Sequence, residues 1–246
     1  METTSAAPPL HQLTRSARLR PGYNLPVMGV VFGLSLLAAL LITRLGIAGF
    51  EHFVRDAGMP TDPTPTAAIV GDVALAIPHN KFRRPDSRSE ANAPLDLHLH
   101  WPSLEGFSIE RAAQFQSAAP DAPTIYVTLQ PAGGAMAPEE RFRRLYPRVL
   151  TDGMSRSEHG FVIREFRDGH GYDGERLFIA PDPSRPLVSR CDPADHTASP
   201  TCLVQFRTAE GLDVNYRIRQ SLLADWRAID EAVRRLVGEW IAAADA

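Results

Sequence analysis

Between Arg20 and Arg44 the chain runs for 20 residues, Asn24 to Thr43, without a single charge. At 1.5 Å per residue a helix of that length spans about 30 Å, the thickness of a bilayer's hydrocarbon core. The run therefore predicts a transmembrane helix over residues 24–43, with apolar residues at helical spacing carrying the helix on to about residue 58. A cleaved signal peptide fits less well, because the run is longer than a signal core and ends at Thr43-Arg44 rather than at small residues. Gly29 and Gly33 stand four apart inside it, a spacing that also arises by chance. Arg15, Arg18 and Arg20 precede the span and Arg44 and Arg55 follow it, so the positive-inside rule places residues 1–23 in the cytoplasm as a disordered tail. This topology makes the protein a single-pass, signal-anchored protein of the inner (cytoplasmic) membrane with a periplasmic C-terminal domain.

The chain beyond the run reads differently. Residues 59–66, Met-Pro-Thr-Asp-Pro-Thr-Pro-Thr, predict an extended spacer, since proline cannot donate within a helix and restrains the residue before it. Residues 67–246 follow as one domain. A net charge of −3 from 26 basic and 29 acidic residues gives no reason to expect nucleic-acid binding. Alternation predicts strands over residues 68–77, 94–101, 124–129, 160–167, 176–180, 201–207 and 212–219; short helices are expected over 108–118 and 138–149. From Ser221 a stripe of Leu222, Trp226, Ile229, Val233, Leu236, Val237 and Trp240 predicts a long amphipathic helix. The expected fold is α+β, a mostly antiparallel sheet covered by helices behind the N-terminal anchor.

Cys191 and Cys202, the only cysteines, bracket a turn-rich interval and are expected to form a disulfide in an oxidising compartment. His98 and His100 sit at i and i+2 of one strand, so both point to the same side, where they are candidate zinc ligands. Third ligands would have to come from His79, His159, His170 or His196, and a solvated polar face accounts for the same alternation. The turn Gly169–Gly174 lacks the strand-before, helix-after setting of a phosphate loop. Ser155, Ser157 and Ser189 stand in no hydrolase motif, and Lys81 is the single lysine. Lys81, Arg83 and Arg84 form a short cationic segment suited to an anionic envelope component.

The run Leu95–Phe107, the Gly169–Gly174 turn, the cysteine pair and residues 223–230 resemble a group of uncharacterised membrane-anchored proteins of alphaproteobacteria. The resemblance implies location and architecture, and it carries no activity. The residues themselves support a non-catalytic module that binds or positions an envelope protein or cell-wall component, without cofactor. The alternative is a periplasmic zinc-dependent enzyme using His98 and His100.

Overall fold

The computed structural model describes residues 25–56, 58–84, 93–180, 186–193 and 197–244, with side chains from residue 29 and not over 45–56. The chain divides into two units, residues 1–50 and 51–246. Residues 1–23 of the expected cytoplasmic tail lie outside the described residues.

The uncharged run is helical, in α1 (Leu25–Asp56). It corrects the membrane assignment, however: among the described residues no helix is long and apolar enough to cross a membrane. The stretch of α1 with described side chains, residues 29–44, gives about 24 Å at 1.5 Å per residue, and the helix continues through Arg44, Glu51, Arg55 and Asp56. The single-pass, signal-anchor reading of residues 24–43 falls with it.

Two sheets form the second unit. A hairpin of β1 (Pro65–Val70) and β2 (Val73–Pro78) turns at Gly71, whose φ of 62° suits glycine. The single run expected over 68–77 is thus two strands. The expected spacer does not stand free of the domain: Pro65 and Thr66 belong to β1, and the carbonyls of Asp62 and Thr64 accept from the amides of Asn80 and His79 at 2.7 and 3.0 Å.

The larger sheet has eight antiparallel strands in the order β3-β4-β10-β9-β8-β7-β6-β5. They are β3 (Leu95–His100), β4 (Thr124–Pro131), β5 (Leu150–Arg156), β6 (Val162–Phe166), β7 (Arg176–Ala180), β8 (Leu187–Cys191), β9 (Thr201–Arg207) and β10 (Leu212–Arg219). The antiparallel α+β expectation is met. A smaller apolar cluster, Tyr146, Val149, Leu150, Phe166 and Leu177, packs on one face at the β5–β8 end, and the larger core fills the opposite face. Leu97, Leu99, Ile125, Val127, Val214 and Ile218 bury there beneath α5 (Trp226–Ala242), which contributes Ile229, Val233, Val237 and Trp240. Of the expected short helices, residues 108–118 supply only a 3₁₀ turn and α2 (Ala112–Phe115). Residues 138–149 divide into α3 (Pro138–Arg144) and α4 (Tyr146–Val149), with Pro147 starting the second turn.

Cys191 and Cys202 are bonded, pairing β8 with β9 across sheet neighbours. Replacing both with serine is expected to cost roughly 2 to 3 kcal/mol by freeing a short loop in the unfolded chain. Urea midpoints for the two proteins give that difference. Gly106 marks a second tight point. A Cβ there would meet the backbone carbonyl of Asn80, which already accepts from the Phe107 amide at 2.7 Å. Gly106→Ala is expected to cost about 1 to 3 kcal/mol, because backbone on both sides has to move; a thermal melt against the parent measures it.

Candidate functional site: the polar face of the large sheet

Strand alternation sends half of each strand away from the core, and the register then lines those residues up in rows across the sheet. One row runs His98, Tyr126, Arg217, Leu203, Arg190, each residue directly opposite the next. A second runs Asp96, Thr128, Asn215, Gln205. Arg219 lies opposite Thr201 at the end of the sheet.

The first row divides into three settings. At the β3 edge His98 is 3% exposed, stacked on Tyr126 with ring centroids 4.1 Å apart and met edge-on by Phe115 at 4.7 Å. Burial, with a smaller contribution from the positive charge of Arg83, pushes its pKa down to about 3, so the ring is neutral. His100 lies 6.3 Å from Phe115, and burial followed by the charge of Arg111 lowers its pKa as well. The Nε2 atoms of both histidines are buried without a hydrogen-bond partner. Among the described residues no group of three or more His, Cys, Asp or Glu side chains could hold a metal ion, and His196 lies outside them.

In the middle of the sheet is a polar hollow of about 420 Å³, lined by Arg83, Arg217 and Arg219 with Tyr126, Asn215 and three threonines, Thr124, Thr128 and Thr201. Arg83 places its guanidinium 5.4 Å from the Tyr126 ring centre, a cation–π distance that holds it over the sheet. Arg217 donates to the Thr201 hydroxyl at 2.8 Å, and Arg219 donates to the carbonyls of Ser199 and Ser117 while its Nε is buried without a partner. Among the described residues no carboxylate lines this hollow, although Asp192 and Asp96 accept from the Thr201 and Thr128 hydroxyls at 2.7 Å each. The three guanidiniums are suited to an anionic group, since Arg presents paired donors to carboxylate or phosphate.

Leu203 closes one end of the hollow and also lines a second, mainly apolar cleft of about 420 Å³. Phe142, Tyr146, Pro186, Leu187 and Val188 form most of its wall, with Arg143, Arg190 and Arg234 at the rim and Glu139 the one acid. Polar hollow and apolar cleft share Leu203 as a wall.

The cationic segment expected at Lys81, Arg83 and Arg84 is not one cluster. Arg83 enters the hollow; Arg84 is 4.0 Å from Asp96; Lys81 turns inward, is 8% exposed and donates to the Leu104 carbonyl. Burial brings the Lys81 pKa down to about 8. The residues that complete the hollow, Arg217 and Arg219, are 134 and 136 positions from Arg83. Alternation in β10 puts both on the polar face, but nothing in that strand indicates which residue will stand opposite them.

No family model matches the chain, and no curated protein matches it. Two solved structures show similarity to it. An immunity protein of the Stenotrophomonas maltophilia type IV secretion system superposes with a TM-score of 0.52 at 14% identity, covering 72% of this chain and 93% of that one. The Neisseria meningitidis iron-regulated outer membrane lipoprotein FrpD gives a TM-score of 0.43 at 12% identity, covering 75% of this chain and 98% of the other. The likeness to the first establishes a shared fold, α helices on a mostly antiparallel sheet.

Proposed function

We propose that residues 59–246 form a non-catalytic binding module that works outside the cytoplasm and holds a protein partner in the groove across its large sheet. The observation that carries the reading is the adjacency of an arginine-lined hollow and an apolar cleft, which share Leu203 as a wall. That combination is the anatomy of a protein-binding surface, with an apolar anchor point and a polar, charged end that fixes orientation. The Cys191–Cys202 disulfide supports an oxidising compartment. Fold likeness to an immunity protein is in keeping with a partner-binding role.

Photo-crosslinking in cells tests this. Benzoylphenylalanine placed at position 203, in the groove, is expected to yield a discrete protein adduct, and the same probe at the exposed position 235 on α5 is expected to yield none. Equal adducts from both positions, or none from 203, contradict the reading. The alternative of a zinc enzyme on His98 and His100 is separated by metal analysis of the purified protein, where stoichiometric zinc would favour it.

A further inference from the structure

Four partly buried arginines elsewhere in the domain each face an acid: Arg111, Arg190, Arg207 and Arg234 lie against Glu105, Glu175, Asp213 and Asp230 in turn. The arginines of the polar hollow depart from that pattern. Among the described residues none of Arg83, Arg217 and Arg219 is ion-paired. The two carboxylates beside the lining threonines are engaged elsewhere. Asp192 accepts from the amide and hydroxyl of Thr201 at 3.0 and 2.7 Å, while Asp96 accepts from the Thr128 hydroxyl and lies 4.0 Å from Arg84. Arg217 is linked to Asp192 through the Thr201 hydroxyl, to which it donates at 2.8 Å.

The three side chains reach the hollow from separate places. Arg217 and Arg219 stand two residues apart on the polar face of β10. Arg83 comes from the segment after β2 and lies over Tyr126, the residue opposite Arg217. The Arg219 Nε is buried without a partner, although its terminal nitrogens hold the Ser199 and Ser117 carbonyls. Like charges around one hollow repel, and a buried N–H without an acceptor is costly. An anion in the hollow answers both. A planar carboxylate brings two oxygens and one charge; a tetrahedral dianion brings oxygens on every side and a charge closer to the three it meets.

We infer that the hollow is a binding site for a phosphate-type oxyanion, tetrahedral and doubly charged, held by Arg83, Arg217 and Arg219. At about 420 Å³ the hollow is larger than the group itself, so it has room for a free anion or for the end of a larger molecule. The inference goes beyond the partner reading and depends on the hollow alone.

Thermal melts of the full chain test it, with sodium chloride keeping ionic strength equal throughout. Inorganic phosphate at about 5 mM, too dilute for its general effect on protein stability, is expected to raise the midpoint by about 2 °C or more. Acetate is expected to give less than half that shift. Phenyl phosphate carries the same group on a ring: a shift equal to that of phosphate assigns the site to the end of a larger molecule, and a shift with inorganic phosphate alone assigns it to the free anion. Arg83→Gln, at an exposed position that the fold tolerates, and Arg217→Gln are each expected to lose most of the phosphate shift, whereas Arg235→Gln on α5 keeps it. No phosphate shift beyond chloride, an equal shift with acetate, or a shift that survives Arg83→Gln or Arg217→Gln overturns the site. Absence of the adduct from position 203 removes the partner reading and leaves this site to its own melts.

Discussion

Asp230→Ala is expected to destabilise the protein by about 3 to 5 kcal/mol, the cost of removing one member of a buried charged pair. Asp230 sits on α5 at 4% exposure and accepts from the Tyr216 hydroxyl at 3.0 Å and from Arg234 Nε at 2.9 Å. Arg234 in turn lies over the Phe206 ring at 3.8 Å. The carboxylate therefore ties the covering helix to two strands at once. Its removal leaves the Tyr216 hydroxyl facing an apolar core and the guanidinium without its charge partner. Arg234 keeps 25% side-chain exposure, so water recovers part of the loss and the lower end of the range is favoured. Tyr216→Phe, which leaves the ion pair in place, is expected to cost only about 1 to 2 kcal/mol. Urea unfolding of the three proteins gives the comparison, and an Asp230→Ala loss no larger than that of Tyr216→Phe contradicts this role.

Acid is the second large lever, through His98. Its folded pKa of about 3 lies below the ordinary histidine value of 6.5, because the ring is buried between Phe115 and Tyr126 with Arg83 adding positive charge. As pH falls below 6.5 the unfolded chain takes up a proton that the folded chain refuses. Stability from this group is then complete above pH 6.5, declines through the acid range, and is fully lost only near pH 3. Between pH 7 and pH 4 the loss amounts to about 3 kcal/mol. The groups that face the ring are Arg83, Tyr126 and Phe115, with His100 and Asp96 two residues to either side on the same strand face; the Asp96 carboxylate accepts from the Thr128 hydroxyl at 2.7 Å and lies 4.0 Å from Arg84. His98→Phe fills the same space without a titrating group. The difference in urea stability between wild type and His98→Phe is expected to grow as pH falls, in favour of the variant; parallel pH curves would show that His98 is not held neutral.

Where a strand has one buried face, the sequence displays it. Residues 201–207 and 212–219 alternate cleanly, and the strands fall at those residues. Edge strand β5, Leu-Thr-Asp-Gly-Met-Ser-Arg, buries only Leu150, so it carries no alternation to read. Strand β8 was hidden for a different reason, since Leu187–Cys191 is flanked by prolines and runs into the cysteine loop. The uncharged run at 24–43 made a strong case for a membrane span, yet charge content alone does not fix a helix's apolar length, and α1 does not qualify among the described residues.

The groove was less legible than the fold. Each arginine of the hollow is visible as a polar position of its own segment, but the hollow exists because β10 lies between β4 and β9 in a particular register. Register is a pairwise property, and a single strand does not encode it. Asp230 illustrates the same limit on a helix: it flanks Ile229 and precedes Val233 by three, so it borders the apolar stripe, and only Tyr216 and Arg234 make its burial tolerable.

The partner-binding claim stands or falls on the arginines. With the protein recovered as the position-203 adduct purified in its free form, affinity is measured for the wild-type chain and for Arg217→Glu, whose fold is checked by its melt. The account predicts at least about a tenfold loss of affinity for Arg217→Glu, and wild-type binding that weakens as salt rises, because the hollow recognises negative charge. Unchanged affinity in Arg217→Glu, at low salt and with the fold intact, would contradict it.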